Sequence, residues 1–236
     1  MLSDSFQTNY VLVKPQDTAF TLRHEKRKER AYYLGTVYDY EKGCSRKGHS
    51  VVTSLVFASE KGYLETVKFL VTRRAEDIHA NNDYALRCAS MRGHLDVVHL
   101  LILNGAGVHA RDDEALKFAS MRGHLGVVQF LIQSGADVHA NDGLALRSAS
   151  INGHLGAVKY LVLGGADVHA RDDEALRSTS KGGHLEVVKY LIGVGADVHA
   201  RDDEALRGAS KNGRLGVVNC LIGMGANVHA WDDEAL

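Results

Sequence analysis

A chain of 236 residues with a formal net charge of −1 exerts no global electrostatic pull on nucleic acid or anionic lipid. Its charged share of 24% and hydrophobic share of 45% are ordinary soluble usage and favour neither a disordered nor a membrane-embedded class. No apolar run approaches the ~18 residues that a bilayer span needs.

The opening residues, MLSDSFQTNYVLVKP, lack a basic start followed by a long apolar run, so no secretory leader is expected. Cys44, Cys88 and Cys220 are far apart and without CxxC spacing. That fits free thiols in a reducing compartment, hence an intracellular and most simply cytoplasmic protein. Residues 1–48 form a non-repeating segment. Within it, LRHEKRKERAYYL at 22–34 reads as a basic helix carrying Arg23, Lys26, Arg27, Lys28 and Arg30. A nuclear-import or nucleic-acid patch is its functional reading. Glu25 and Glu29, each near a base at helical spacing, favour a merely solvated face. The segment is expected to be partly helical and to cap the first repeat. It is too short to build a catalytic pocket alone.

Repetition then takes over. From residue 80 the chain divides without gaps into five units of thirty: 80–109, 110–139, 140–169, 170–199 and 200–229. An earlier unit, 49–79, carries the same landmarks with one extra residue near Arg73–Asp77, and a partial unit occupies 230–236. In the unit at 170–199, Asp172 and Asp173 read as helix N-cap candidates, with Glu174 at the positive end of the helix dipole. Ala175, Leu176, Thr179 and Ser180 give a first helix with small residues on one side, ended by Gly183. Leu185, Val188, Leu191 and Ile192 recur at helical spacing and predict a second helix packed on that stripe, ended by Gly195. ADVHARDD then leads back in an extended or turning segment. One unit cannot bury its own apolar stripe, but stacked units can.

The segments EALRSTSKGGH, GHLEVVKYLI and GADVHA resemble the ankyrin repeat, whose pattern is T-P-L-H-x-A-A-x-x-G-H, a V-V-x-x-L-L helix and a G-A-D-V-N-A exit. The resemblance covers residues 49–236 and implies an all-α solenoid of stacked helix-turn-helix repeats with short connecting loops. Three departures stand out. The period is thirty instead of the usual 33, which puts the projecting β-finger in doubt. The T-P-L-H position reads EALR, and histidine replaces the exit asparagine. Uniform thirty-residue repeats are similar to those of ankyrin-repeat proteins of large DNA viruses, which would place the protein in a host cytoplasm.

The nine letters VHARDDEAL occur at 108–116, 168–176 and 198–206, with VHAWDDEAL at 228–236. They offer histidine and carboxylates, the raw material of acid–base or metal chemistry. Equivalent histidines in a stacked array sit about 10 Å apart, whereas zinc needs three or four ligands at ~2 Å. Histidines that bond the turn backbone are therefore expected, with no metal and no cofactor. The carboxylates recur in near-identical settings, so nothing separates an acid from a base. Walker, G-x-S-x-G and H-E-x-x-H motifs are absent from the sequence. GVGADV at 193–198 closes a helix instead of opening one, so it is no dinucleotide site. Gly156 and Gly216 are poor helix formers and predict softer second helices. A non-catalytic protein-binding module or scaffold is the expectation.

Recognition residues should vary where scaffold residues repeat. The resemblance implies that the exposed side of the first helix and its loop line a concave surface. The variable first-helix positions are Phe57, Cys88, Met91, Arg92, Phe118, Met121, Arg122, Ser148, Ile151, Asn152, Lys181 and Lys211. Of these, Phe57, Met91, Arg92, Phe118, Met121, Arg122, Ile151, Lys181 and Lys211 are the expected partner contacts. The set passes from apolar to basic along the chain, and exposed aromatic and methionine side chains are typical anchors. Against that, Phe118 and Ile151 could fold onto the neighbouring helix. A second variable set lies in the loops: Asn81, Tyr84, Arg111, Leu144, Arg171, Arg201 and Trp231. The expected partner is another protein, with no nucleic acid and no membrane. The alternative is a self-associating array: the sequence stops just as a new first helix starts, which predicts an uncapped end able to stack as a homo-oligomer.

Overall fold

The computed structural model of the chain describes residues 51–73 and 78–229. The expected basic helix at 22–34, the cap formed by 1–48, the extra residue near 73–77, Trp231 and the partial unit 230–236 lie outside these residues. The described residues form twelve α-helices and no strand, arranged as helix pairs. By contacts they fall into two compact units. The first takes the described residues up to Ala89 together with Asp96–Ala106, and the second takes Ser90–Leu95 together with those from Gly107 onward.

In the first unit, α1 (Val51–Lys61) pairs with α2 (Leu64–Arg73). Leu55, Ala58, Val67 and Leu70 are buried there. Most of α3 (Ala80–Arg92) and of α4 (Leu95–Leu103) belongs to this unit, and contributes Ala85, Leu86, Val97, Val98 and Leu101 to its core.

The second unit holds four full pairs: α5 (Ala110–Arg122) with α6 (Leu125–Gln133), α7 (Ala140–Ile151) with α8 (Leu155–Leu163), α9 (Ala170–Gly182) with α10 (Leu185–Gly193), and α11 (Ala200–Lys211) with α12 (Leu215–Gly223). First helices pack on first helices, and second on second, from each pair to the next. Ala175, Leu176, Thr179 and Ser180 are all buried, as their small-residue pattern implies. Small side chains let the helices approach closely enough to exclude water.

The second-helix stripe differs by a rotation from the expected one. Val187, Val188 and Leu191 form the buried set, while Leu185 and Ile192 are half-buried. Each second helix contacts both its own first helix and the second helices of adjacent pairs, so adjacent valines serve two interfaces at once. Gly156 and Gly216 also gain a use. Leu125 Cδ2 lies 3.3 Å from where a Cβ on Gly156 would be, and Leu185 Cδ2 lies 3.6 Å from the Gly216 equivalent. The missing side chain admits the preceding repeat's leucine.

Candidate interaction face

Each first helix of the second unit opens on a tight left-handed turn within its first residues. Arg111, Asp112 and Asp113 have φ of 53°, 56° and 59°, and Arg171–Asp173 and Arg201–Asp203 repeat the conformation. A side chain in this region costs about 1–2 kcal/mol, least for Asn, Asp and Gly. That explains Asn141, Asp142 and Gly143 at the same three places, with φ of 51°, 56° and 69°. Three consecutive left-handed residues reverse the chain within a short loop and leave no projecting strand pair among the described residues.

Here the N-cap expectation is corrected. Asp173 does not cap its own helix. Its Oδ1 accepts the Asp197 amide at the exit of the same repeat at 2.9 Å and the Nδ1–H of His169, the last residue of the preceding repeat, at 3.1 Å. Asp113 does the same with Asp137 and His109, at 2.9 and 3.2 Å. Asp203 receives the Asn227 amide and His199. With the turn left-handed, the carboxylate ties the loop that enters a repeat to the loop that leaves it. Asp137 in turn accepts the His139 amide through Oδ1, closing an Asx turn.

The other histidine column also bonds backbone. His124, His154 and His184 each donate Nε2–H to a carbonyl of the preceding repeat: Met91, Met121 and Ile151, at 3.1, 3.1 and 3.0 Å. Among the described residues no three of His, Cys, Asp and Glu are grouped to hold a metal ion. The arginine of EALR serves the left-handed turn. Arg177 Nε and Nη2 donate to the carbonyls of Asp172 and Arg171, at 2.8 and 2.9 Å, and Nη1 donates to Glu204 of the next repeat. Arg147 likewise bonds the Asn141 carbonyl and, at 2.7 Å, Glu174. VHARDDEAL is therefore scaffold: its histidine and second aspartate bond between loops, and its glutamate takes the arginine of the preceding repeat.

The varied positions fall in both units. Phe57 stands in the first unit, half-buried, edge-on to Tyr63 at 6.2 Å and beneath Lys61. Tyr84, in the same unit, is exposed and lies under the Arg87 guanidinium. Its hydrogen bond with the Cys88 side chain pushes the phenol above its ordinary pKa. In the second unit Arg92, Arg122, Ile151, Lys181 and Lys211 are exposed, whereas Met91, Met121 and Phe118 are half-buried. Ile151 is 51% exposed and does not fold onto its neighbour. Phe118 is partly covered and sits under Lys117 Nζ, 5.2 Å from the ring centre. Cys88 and Ser148 are buried, contrary to their expected place among the exposed positions. Of the loop set, Asn81, Arg111, Arg171 and Arg201 are exposed and Leu144 is half-buried.

One feature escaped the sequence reading. A groove of about 530 Å³ opens between α9 and α11, lined by Arg171, Glu174, Ser178, Lys181, Arg201 and Glu204 among others. Residue size along one helical position explains it: Phe118 is followed by Ser148, Ser178 and Gly208, so the space filled at α5 is empty at α9 and α11. Arg201 Nε pairs with Asp172 Oδ2 at 3.2 Å along its rim.

The family model described as "Ankyrin repeats (3 copies)" matches residues 55–142 and 144–232. That is most of the chain. The protein belongs to the ankyrin-repeat family. Among solved structures it is similar to the crystal structure of the human ASB11 ankyrin repeat domain, with a TM-score of 0.66 and 22% identity over 77% of this chain and 95% of that one. At that identity the likeness speaks for the fold. No curated protein matches the chain by sequence. Ankyrin-repeat domains in general mediate protein–protein interactions and are not enzymes. No helix among the described residues is long and apolar enough to cross a membrane. This ankyrin protein departs from the family pattern where the geometry says it should: a histidine in the exit faces the aspartate of the left-handed turn, and EALR supplies the arginine that satisfies that turn's carbonyls.

Proposed function

We propose that the protein is a non-catalytic interaction module that binds a partner protein on the first-helix and loop face of its second unit. Met91, Arg92, Phe118, Met121, Arg122, Ile151, Lys181 and Lys211 carry the contact. One observation supports this best. The recurring turn aspartate, turn histidine and first-helix arginine are engaged in scaffold bonds, while the varied letters at the end of each first helix are exposed or half-buried. Variation concentrated on accessible positions over a fixed scaffold is the pattern of a recognition surface. The partner is taken to be protein because the charge balance favours neither nucleic acid nor a lipid surface, and the cytoplasm is proposed from the scattered cysteines. Phe57, packed within the first unit, would be a separate contact.

The test is affinity capture from cell extract with the full chain, compared with a variant carrying Phe118→Asp and Met121→Glu. A second variant, Ile151→Glu, leaves the half-buried positions intact. Loss of the captured proteins with helicity retained is the expected result, and an unchanged set removes the face from consideration. Light scattering over a concentration series addresses the other reading, self-association: a mass rising in whole multiples would favour it.

A further inference from the structure

The groove between α9 and α11 narrows the partner's chemistry. Its cations are mostly spent. Arg177 is held by Glu204 and by the turn carbonyls, Arg201 by Asp172, and Arg171 by Asp142 at 3.3 Å. Lys181 is different: it is exposed, lines the groove beside Ser178, and its ammonium has no ion-pair partner among the described residues. Gly208 on the opposite wall leaves its flank clear, since a Cβ there would come within 3.5 Å of Lys181 Cβ. One repeat back, the equivalent position is Ile151, and one before that is Met121.

Equivalent positions on stacked repeats lie about 10 Å apart, and an extended chain advances about 3.3 Å per residue. Three residues of an extended segment therefore span one repeat. We propose that the groove receives an acidic side chain of an extended partner segment whose apolar residues, three and six positions away, cover Ile151 and Met121. A carboxylate finds an unneutralised ammonium and a hydroxyl in the groove. A polyanion such as RNA is disfavoured, because Lys181 offers a single ammonium while Asp172, Glu174 and Glu204 on the same walls would repel its further phosphates. This rests on the interaction-face reading above and specifies its ligand.

Selection of phage-displayed random dodecapeptides on the full chain, and in parallel on its Lys181→Glu variant, tests it. Lys181 is exposed, and circular dichroism checks that the variant folds. The expected outcome is enrichment of Asp or Glu spaced three and six residues from apolar residues on the wild-type chain. Lys or Arg should replace the acid on the variant, with wild-type peptides binding it about tenfold more weakly. Peptides weakened by Met121→Glu but indifferent to Lys181→Glu would sink the acid proposal and leave the face reading standing. Peptides indifferent to both, or no enrichment at all, would count against both. A single-stranded oligonucleotide that binds the wild-type chain and loses affinity on Lys181→Glu would overturn the proposal in favour of nucleic acid.

Discussion

His154 closes the turn of the repeat before it, donating Nε2–H to the Met121 carbonyl at 3.1 Å. Its ring occupies the space beside Gly123, where a Cβ would lie 2.5 Å from His154 Nδ1, and Gly123 has φ +72°. The same wedge recurs with His124 on Gly93 and His184 on Gly153. Glycine is thus required twice, by conformation and by contact.

These two demands separate in a double-mutant cycle. Gly135, with φ +98° and nothing near its absent side chain, isolates the conformational cost: Gly135→Ala should destabilise by about 1–2 kcal/mol. Gly123→Ala adds the collision and should cost about 2–4 kcal/mol. Combined with His154→Ala the collision disappears, so the two changes should fall short of additivity by about 1 kcal/mol or more. Urea denaturation of the four proteins reads this directly. Strict additivity would mean that ring and turn do not meet.

The helix pairs were legible because the apolar residues of each repeat recur at helical spacing and a glycine follows every described helix but α2. Handedness of the connecting turn was not. Asp172 and Asp173 read as caps because the side-chain chemistry that suits a cap also suits the left-handed region, and sequence alone does not separate the two. The thirty-residue period announced a shorter loop without saying how it closes. Cys88 and Ser148 seemed exposed since a variable position looks like a surface one. Both are buried, and for Ser148 the cause is that α7 packs on the first helices before and after it, so that side of the helix faces protein. The groove at α9 and α11 was hidden for a related reason: Ser178 and Gly208 matter through what they leave empty.

Asp113 carries two inter-element bonds while almost fully buried, at 5% exposure. Asp113→Ala leaves the Asp137 amide without its acceptor and puts alanine at φ 59°. A loss of about 2–4 kcal/mol is expected. Asp112→Ala, exposed in the same turn, suffers only the conformational part, about 1 kcal/mol. Asp113→Gly, which relieves the backbone but not the lost bonds, should fall between them. Equal losses for Asp112→Ala and Asp113→Ala would show that the carboxylate contributes nothing.

Nature has left one such turn without its carboxylate. At Gly143 the position has φ +69°, and a Cβ would touch only Ala170 Cβ at 3.6 Å and the Asp167 carbonyl at 3.9 Å, both ordinary contacts. Gly143→Asp should therefore install the bonds to His139 and to the Asp167 amide that Asp113 and Asp173 make in their own repeats. Two charge-assisted bonds outweigh the left-handed cost for aspartate, for a net gain of about 1 kcal/mol. Gly143→Asn, with a weaker acceptor, should gain less. Denaturant midpoints decide it, and a loss with Gly143→Asp would mean the exposed His139 does not turn to meet the new group.

A buried serine lies near the end of the first helices α5, α7 and α9. Ser120, Ser150 and Ser180 are each 0% exposed, and their hydroxyls have no hydrogen-bond partner among the described residues. The position needs a small side chain where helices touch, and alanine is smaller still and a better helix former. An unmet hydroxyl in the interior costs about 1–3 kcal/mol relative to its removal, so Ser120→Ala should stabilise by about 0.5–1.5 kcal/mol. The sites lie in separate repeats, and combining Ser120→Ala with Ser180→Ala should give nearly the sum. Equilibrium denaturation measures both. A destabilisation beyond about 1 kcal/mol would show instead that each hydroxyl holds an ordered water whose bonds the alanine cannot replace.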